Sequence, residues 1–282
     1  MEIFSSVSDI KTSLQGLRNQ GRTIGFVPTM GSLHPGHISL LERAKRENDI
    51  TVCSIFVNPL QFNDKKDLEK YPRTLEEDIH KLTSSRCNYL FSPTSEDIYS
   101  TPESKKIELK LGLLDKVMEG IHRPGHFEAV CVVVKNLFEI ITPNKSYFGE
   151  KDFQQLAVIK FMVNTLKLPV EIIGCPTVRE ANGLAMSSRN ALLNTDERKN
   201  AAHIAQTLFE AKKLVKGKTI NELKAWVLNR VNENPFLMTE YFEIINSETL
   251  QAVSSWTDAS SIRACILVKI GSIRLIDNIA LT

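Results

Sequence analysis

The sequence predicts a Rossmann-like parallel α/β domain over about residues 1–176, followed by a smaller α+β domain over about 177–282. Three observations carry this expectation. Up to residue 175, short apolar, β-branched runs alternate with stretches of helical period, the order that gives a parallel sheet covered on both faces. Beyond about residue 176 the order changes to two helices and then two or three strands, the grouping of an α+β domain. The chain has 282 residues, 42 % of them apolar, which suffices for one large domain or two modest ones.

The elements follow in order. Residues 23–27 are a short apolar run before a proline and read as a buried strand. Residues 36–47 carry Ile38, Leu40, Leu41 and Ala44, the apolar stripe of an amphipathic helix. Residues 50–57 are β-branched and apolar, a second strand; 73–84 are helical; 87–91 form a third strand, stopped by Ser92-Pro93. Residues 127–141 are strongly apolar and too long for a strand, so a buried helix is expected. A strand over 145–149, a helix over 152–166 and a strand over 170–174 complete the first domain. In the second, Thr195 is the expected N-cap of a long helix, with Asp196 and Glu197 in its first turn, Lys212, Lys213 and Lys216 at its end and Gly217 beyond. A helix over about 220–231 follows, then strands over 241–245, 262–269 and 272–276. The most polar insert, 63–70, reads as a charged surface loop, or in its functional alternative as a lid.

Composition narrows the function classes. Lysine and arginine number 35 against 33 aspartates and glutamates, a net charge of +2. So balanced a chain offers no basic stripe for sequence-independent nucleic-acid binding. No run approaches the roughly 18 apolar residues of a membrane span. Met1-Glu2-Ile3-Phe4-Ser5 is not a basic segment leading an apolar run, so no signal peptide is expected. Cys53, Cys87, Cys131, Cys175 and Cys265 are odd in number and widely spaced, which argues against a disulfide frame and for a cytoplasmic, reducing setting.

Five segments carry residue types suited to chemistry, and four of them fall at turns or helix starts. The first is Pro28-Thr29-Met30-Gly31-Ser32-Leu33-His34-Pro35-Gly36-His37, between the first apolar strand and its helix. In open parallel sheets ligands bind at the carboxyl ends of strands, where helix N-termini present N–H groups. Imidazoles there can donate to phosphate oxygens, and Gly31 and Gly36 let backbone come close. His-x-Gly-His at this turn resembles the HIGH signature of nucleotidyltransferases. The second segment, 54–62, brings Asn58 and Gln61 to the end of the next strand, with a plain Asn-Pro turn as the bland alternative. The third, Gly149-Glu150-Lys151-Asp152-Phe153-Gln154-Gln155, is again a strand end entering a helix, where Asp152 is a plausible N-cap. The fourth, 179–190, contains Met186-Ser187-Ser188-Arg189, which resembles a KMSKS-type triphosphate loop and is otherwise a polar linker. In the fifth, His122-Arg123-Pro124-Gly125-His126, Arg123 is either a phosphate contact or a surface residue.

Two other patterns are set aside. Lys216-Gly217-Lys218-Thr219 is similar to the end of a P-loop, but Lys212 stands where that motif needs glycine, so it reads as a helix C-cap. Neither His34/His37 nor His122/His126 makes an HExxH motif with the neighbouring glutamate of a zinc hydrolase.

Taken together and in this order, the five blocks and the tail Gly271-Ser272-Ile273-Arg274-Leu275-Ile276-Asp277-Asn278 resemble the pantoate–β-alanine ligase (pantothenate synthetase) family over nearly the whole chain. The resemblance implies ATP-dependent joining of pantoate to β-alanine through a pantoyl adenylate, with release of AMP, and Mg²⁺ on the triphosphate. It implies that Met30, Gly31, Ser32, Leu33, His34, Pro35, Gly36 and His37 cradle ATP. His37 would be the proton donor, and His34 and Lys151 would stabilise developing charge. Gly149 and Asp152 would hold the ribose, Glu150 would also contact ATP, Val178 would lie at the adenine, and Met186, Ser187, Ser188 and Arg189 would close on the phosphates. Gln61 and Gln155, with Asn58, would orient pantoate. Neutral amides suit this role, since an ion pair would blunt the carboxylate's nucleophilicity. A homodimer, and a second domain closing over a cleft, are further implications. Ala129 and Asn182 depart from the family's expected Gly and Asp. Two readings compete: transfer of NMP to a phosphorylated acceptor, which shares HxGH, and nucleotide binding without turnover.

Overall fold

In the computed structural model, which describes residues 1–282, the strands fall into two separate sheets. The first contains β1 (Glu2–Phe4), β2 (Ile24–Thr29), β3 (Ile50–Ile55), β4 (Tyr89–Phe91), β5 (Lys145–Gly149) and β6 (Glu171–Cys175), in the order β1-β4-β3-β2-β5-β6 with every pairing parallel. The second contains β7 (Met238–Asn246), β8 (Ile262–Ile270) and β9 (Ile273–Ala280), antiparallel throughout. The helices are α1 (Val7–Asn19), α2 (Pro35–Glu47), α3 (Lys65–Lys70), α4 (Leu75–Ser84), α5 (Ser95–Ile98), α6 (Glu119–His122), α7 (His126–Ile141), α8 (Phe153–Leu166), α9 (Thr195–Leu214) and α10 (Ile220–Asn232). None is long and apolar enough to cross a membrane.

Contacts divide the chain into two units. One comprises Met1–Leu111, Arg123–Glu150 and Gln155–Pro176; the other comprises Gly112–His122, Lys151–Gln154 and Thr177–Thr282. In the first, β2 and β3 are apolar on both faces because both are covered, and they pair in register from Ile24↔Ile50 to Thr29↔Ile55. The chain runs from β2 through β3 to β4 on one side, then crosses to β5 and β6 on the other. The strand order therefore reverses between β2 and β5, and the carboxyl ends of these two strands flank the crevice where open α/β sheets bind ligands. Tyr147 on β5 and Asn48 after α2 hydrogen-bond at 2.7 Å, seating α2 beside this point. Gly25 is required there, since a Cβ would lie 2.5 Å from the Asn48 amide. α7 is buried along nearly its whole length, as its uninterrupted apolar run predicts.

Two local expectations are corrected. The 63–70 insert is not a loop throughout: Asp64 accepts from the Lys66 N–H at 2.8 Å and starts α3. Its Lys and Glu residues are good helix formers, but the turn is too short to show an apolar period. Asn194, not Thr195, caps α9, because Glu197 stands three residues after it and closes the reciprocal capping box at 2.9 Å on each side. Val215–Gly217 forms a single 3₁₀ turn, and Thr219 caps α10, so the P-loop-like tetrapeptide is a helix-to-helix joint.

In the second unit, α9 and α10 bury Ala201, Ile204, Leu208, Leu223 and Val227 against the apolar alternation of β8, Ile262, Ala264, Ile266, Val268 and Ile270. Segment Gly112–His122 is tied to this sheet by charge. Arg274 donates to both Glu119 oxygens (2.9 and 3.2 Å) and to Glu240 (2.7 Å), whose other oxygen lies 2.6 Å from Lys269 Nζ. Burial raises the Glu240 carboxyl, but Lys269 and Arg274 outweigh it and hold the group below its ordinary value. A carboxyl lowered in the folded state stabilises above its unfolded value and loses that contribution as pH falls through the folded value. Between pH about 5 and about 3, thermal melting of Glu240→Gln should therefore shift less than that of the unsubstituted protein; equal shifts would deny Glu240 this role.

Candidate functional site

The turn after β2 is held open by one buried acid. Asp78 on α4 is fully buried and accepts the N–H groups of Ser32 (2.8 Å) and Leu33 (2.7 Å). Lys81, one turn further on, donates to the Leu33 carbonyl at 2.9 Å. Thr29 Oγ1 accepts the Gly31 N–H at 3.1 Å. Gly31 has φ +81°, and a Cβ there would sit 3.0 Å from Ile55 and 3.2 Å from Asp78, so only glycine fits this loop without strain. Gly31→Ala should displace the loop and cost about 1–3 kcal/mol in chemical denaturation; an unchanged midpoint would show that the loop tolerates a side chain.

His34 and His37 form the reciprocal cap of α2. His34 Nδ1 accepts the Gly36 N–H at 3.1 Å, and His37 Nδ1 accepts the His34 N–H at 3.3 Å. An imidazole nitrogen that accepts carries no proton, so in each ring Nε2 is the nitrogen left to donate. The rings lie 4.0 Å apart and 32° from parallel. The cap thus fixes two Nε2–H donors at the positive end of a helix, a setting suited to phosphate oxygens.

At the end of β3, Asn58 and Gln61 belong to one buried network. Asn58 Oδ1 accepts the Leu60 N–H at 3.1 Å and the Tyr99 hydroxyl at 2.6 Å; its Nδ2 donates to Gln61 Oε1 at 3.2 Å and to the Ala129 carbonyl at 3.3 Å. Burial pushes the Tyr99 phenol well above its ordinary value, so it stays a donor. Gln61 Nε2 reaches Met30 Sδ at 2.9 Å, joining this network to the β2 turn. Arg123 Nη2 (3.2 Å) and His126 Nδ1 (2.9 Å) both meet the Gln61 carbonyl, and Arg123 Nη1 lies 3.0 Å from His126 Nε2. Arg123 thereby fixes the Gln61 main chain. Ala129 serves Asn58 through its carbonyl, to which the side chain is irrelevant. The parts played by Asp78, Tyr99 and His126 escaped sequence reasoning; the available signal was Asp78 one turn before Leu82, on the buried face of its helix.

Gly149 closes β5 opposite Cys175, and Glu150–Asp152 form a 3₁₀ turn running into α8, whose first turn carries Gln155. In the second unit, Lys151 Nζ lies 3.3 Å from Asp152. Arg179 and Ala185 bridge a tight hairpin, and Met186 donates to the Val178 carbonyl at 3.0 Å. Asn182 Oδ1 accepts the Leu184 N–H at 3.1 Å, a bond an aspartate would also make. Ser187 then caps the 3₁₀ turn Ser188–Leu192, accepting the Arg189 N–H at 3.3 Å. Lys151, Ser187 and Arg189 line one small pocket of this unit. His122 pairs with Glu240 at 3.1 Å whereas His126 sits on Gln61, so these two histidines hold separate posts.

A parallel sheet whose strand order reverses between β2 and β5, with a paired-histidine turn at the head of α2, makes this a Rossmann-like α/β protein. The chain belongs to the pantoate–β-alanine ligase family, whose model matches residues 2–280. It is 50 % identical to a pantothenate synthetase of Porphyromonas gingivalis over 279 residues, 99 % of each chain, and 48 % identical to one of Flavobacterium psychrophilum over 282 residues, 100 % of each. Among solved structures it is similar to pantothenate synthetase from Thermus thermophilus, with a TM-score of 0.93, 39 % identity and coverage of 100 % of this chain and 99 % of that one. The Francisella tularensis pantoate–β-alanine ligase, solved with β,γ-ATP and β-alanine, matches with a TM-score of 0.83 and 36 % identity over 100 % and 98 % of the two chains.

Proposed function

We propose that this protein joins pantoate to β-alanine at the expense of ATP, in two steps. A carboxylate is too poor an electrophile to meet an amine in water. In the first step a pantoate carboxylate oxygen attacks the α-phosphorus of ATP, the bond to the β-phosphate oxygen breaks, and pyrophosphate leaves. In the second, the β-alanine amine attacks the acyl carbon of the mixed anhydride, AMP leaves, and the amine loses a proton. Mg²⁺ arrives on the triphosphate as part of the substrate and neutralises charge that would repel the pantoate anion.

The observation that carries this reading is the pair of Nε2–H donors fixed at the head of α2. They suit the charge that builds on the α-phosphate and on departing pyrophosphate, where preorganised donors matter most. The main-chain turn Met30–Gly36 receives the phosphates, with Lys151, Ser187, Ser188 and Arg189 supplying further charge and hydroxyls. Gly149, Glu150, Asp152 and Val178 serve the nucleoside, and Met186 joins Ser187, Ser188 and Arg189 in the segment assigned to the phosphates. Gln61 and Gln155 orient pantoate, and Asn58 and Arg123 act by holding Gln61. No side chain needs to form a covalent bond. Cys131 and Cys265 are buried with their thiols pushed up to about 12, which suits bystanders.

Five buried, unpaired cysteines also favour a reducing compartment, the cytoplasm. A homodimer is expected from the family resemblance; sedimentation equilibrium at twice the chain mass supports it, and a monomer at micromolar concentration excludes it. The chemical test uses pantoate labelled with ¹⁸O in its carboxylate. One label should appear in AMP and one should remain in the amide of the product. Transfer of NMP to an acceptor, the competing reading, would release no AMP, and unlabelled AMP would exclude the acyl adenylate.

A further inference from the structure

The tail of β9 bears on the proposed chemistry although it supplies none of the groups assigned above. Asn278 is buried, and its Nδ2 donates to the main-chain carbonyl of Lys151 at 2.9 Å. Its own position is fixed from two further sides. Asn278 Oδ1 accepts from Arg263 Nη1, and its N–H donates to Asp277 Oδ1 at 2.7 Å. Asp277 in turn takes a two-pronged ion pair from Arg179 (2.6 and 2.9 Å), whose guanidinium also reaches the Gly183 carbonyl at 3.1 Å within the hairpin that leads to Ser187. Arg263 stacks over the ring of Phe153, two residues after Lys151, at 4.1 Å. Asp277 lines the same small pocket as Lys151, Ser187 and Arg189. A side-chain amide spent on one main-chain carbonyl, and itself held by a guanidinium and an adjacent buried ion pair, has little freedom to shift.

We infer that Asn278 is a positioning residue for the reaction, fixing the backbone of Lys151 so that its ammonium is presented in one place. This rests on the role proposed for Lys151. A flexible lysine stem anchored at a mobile main chain would deliver its charge over a range of positions, and a displacement of an ångström at a reacting centre can cost about 10²-fold in rate.

The test is a double-mutant cycle read by pyrophosphate–ATP exchange. Asn278→Asp keeps the shape and the acceptor for Arg263 but removes the donor to Lys151; Asn278→Ala removes the donor without adding charge. Each should lower exchange about tenfold with Lys151 present, and neither should lower it further when Lys151 is already alanine. Equal losses in both backgrounds, or no loss in either variant, would overturn the inference. If Lys151→Ala alone exchanges normally, the role of Lys151 fails and the inference falls with it. If Lys151→Ala is impaired while both Asn278 variants are not, only the inference fails.

Discussion

His37→Ala should lower the rate of adenylate formation by at least ~10²-fold, because it removes a preorganised donor at the position where charge builds in the transition state. The substitution also removes the acceptor for the His34 N–H, 3.3 Å away, so part of the loss will come from the loosened cap. His37→Asn separates the two effects. Asparagine can accept that N–H from the same position but is a weaker proton donor, so it should recover melting temperature before it recovers rate. His37→Ala turning over at a normal rate would remove the paired imidazoles from the mechanism. Lys151→Ala is expected to cost a similar factor through loss of fixed positive charge.

The second large effect is expected at Asp78, which contacts no substrate in this account. Asp78→Ala would strand the buried N–H groups of Ser32 and Leu33, at ~1–3 kcal/mol each. The protein should lose roughly 3 kcal/mol of stability and more than about tenfold in exchange rate, since the turn proposed to receive the phosphates loses its anchor. Asp78→Asn keeps the volume and one acceptor oxygen, so it should fall between the two. Chemical denaturation with a parallel exchange assay checks both readings. An Asp78→Ala protein as stable and as active as the unsubstituted one would show that the turn holds its shape without the carboxylate.

The contrast between His37 and Asp78 shows what a sequence makes legible. Strands β2 and β3 announce themselves because a sheet covered on both faces needs unbroken apolar runs, and α7 does so for the same reason. The turn at 28–37 is legible because its glycines, proline and histidines each have a local backbone reason. Asp78 is not, because its partners lie 45 and 46 residues away, and an acid among Glu76, Glu77 and Lys81 looks solvated until folding buries it. β1 and α1 escape for another reason: a three-residue edge strand has no period to read, and α1 carries polar residues and Gly16 along a stripe that buries only Ile10 and Leu14. The allegiance of Gly112–His122 and Lys151–Gln154 to the second unit is likewise invisible locally. It depends on Arg274 meeting Glu119 and on Asn278 meeting Lys151, contacts across more than a hundred residues. Asn194 against Thr195 is the finest case: both residues cap helices well, and the glutamate three positions on decides between them.

In the proposed reaction this chain activates pantoate by transferring AMP to it before any amine is involved. Labelled pyrophosphate, ATP, Mg²⁺ and pantoate, incubated with the protein and no β-alanine, test that directly. Label should appear in ATP only when pantoate is present, with the rate collapsing in Lys151→Ala. Exchange that proceeds without pantoate, or a folded protein that forms pantothenate yet never labels ATP, would contradict it.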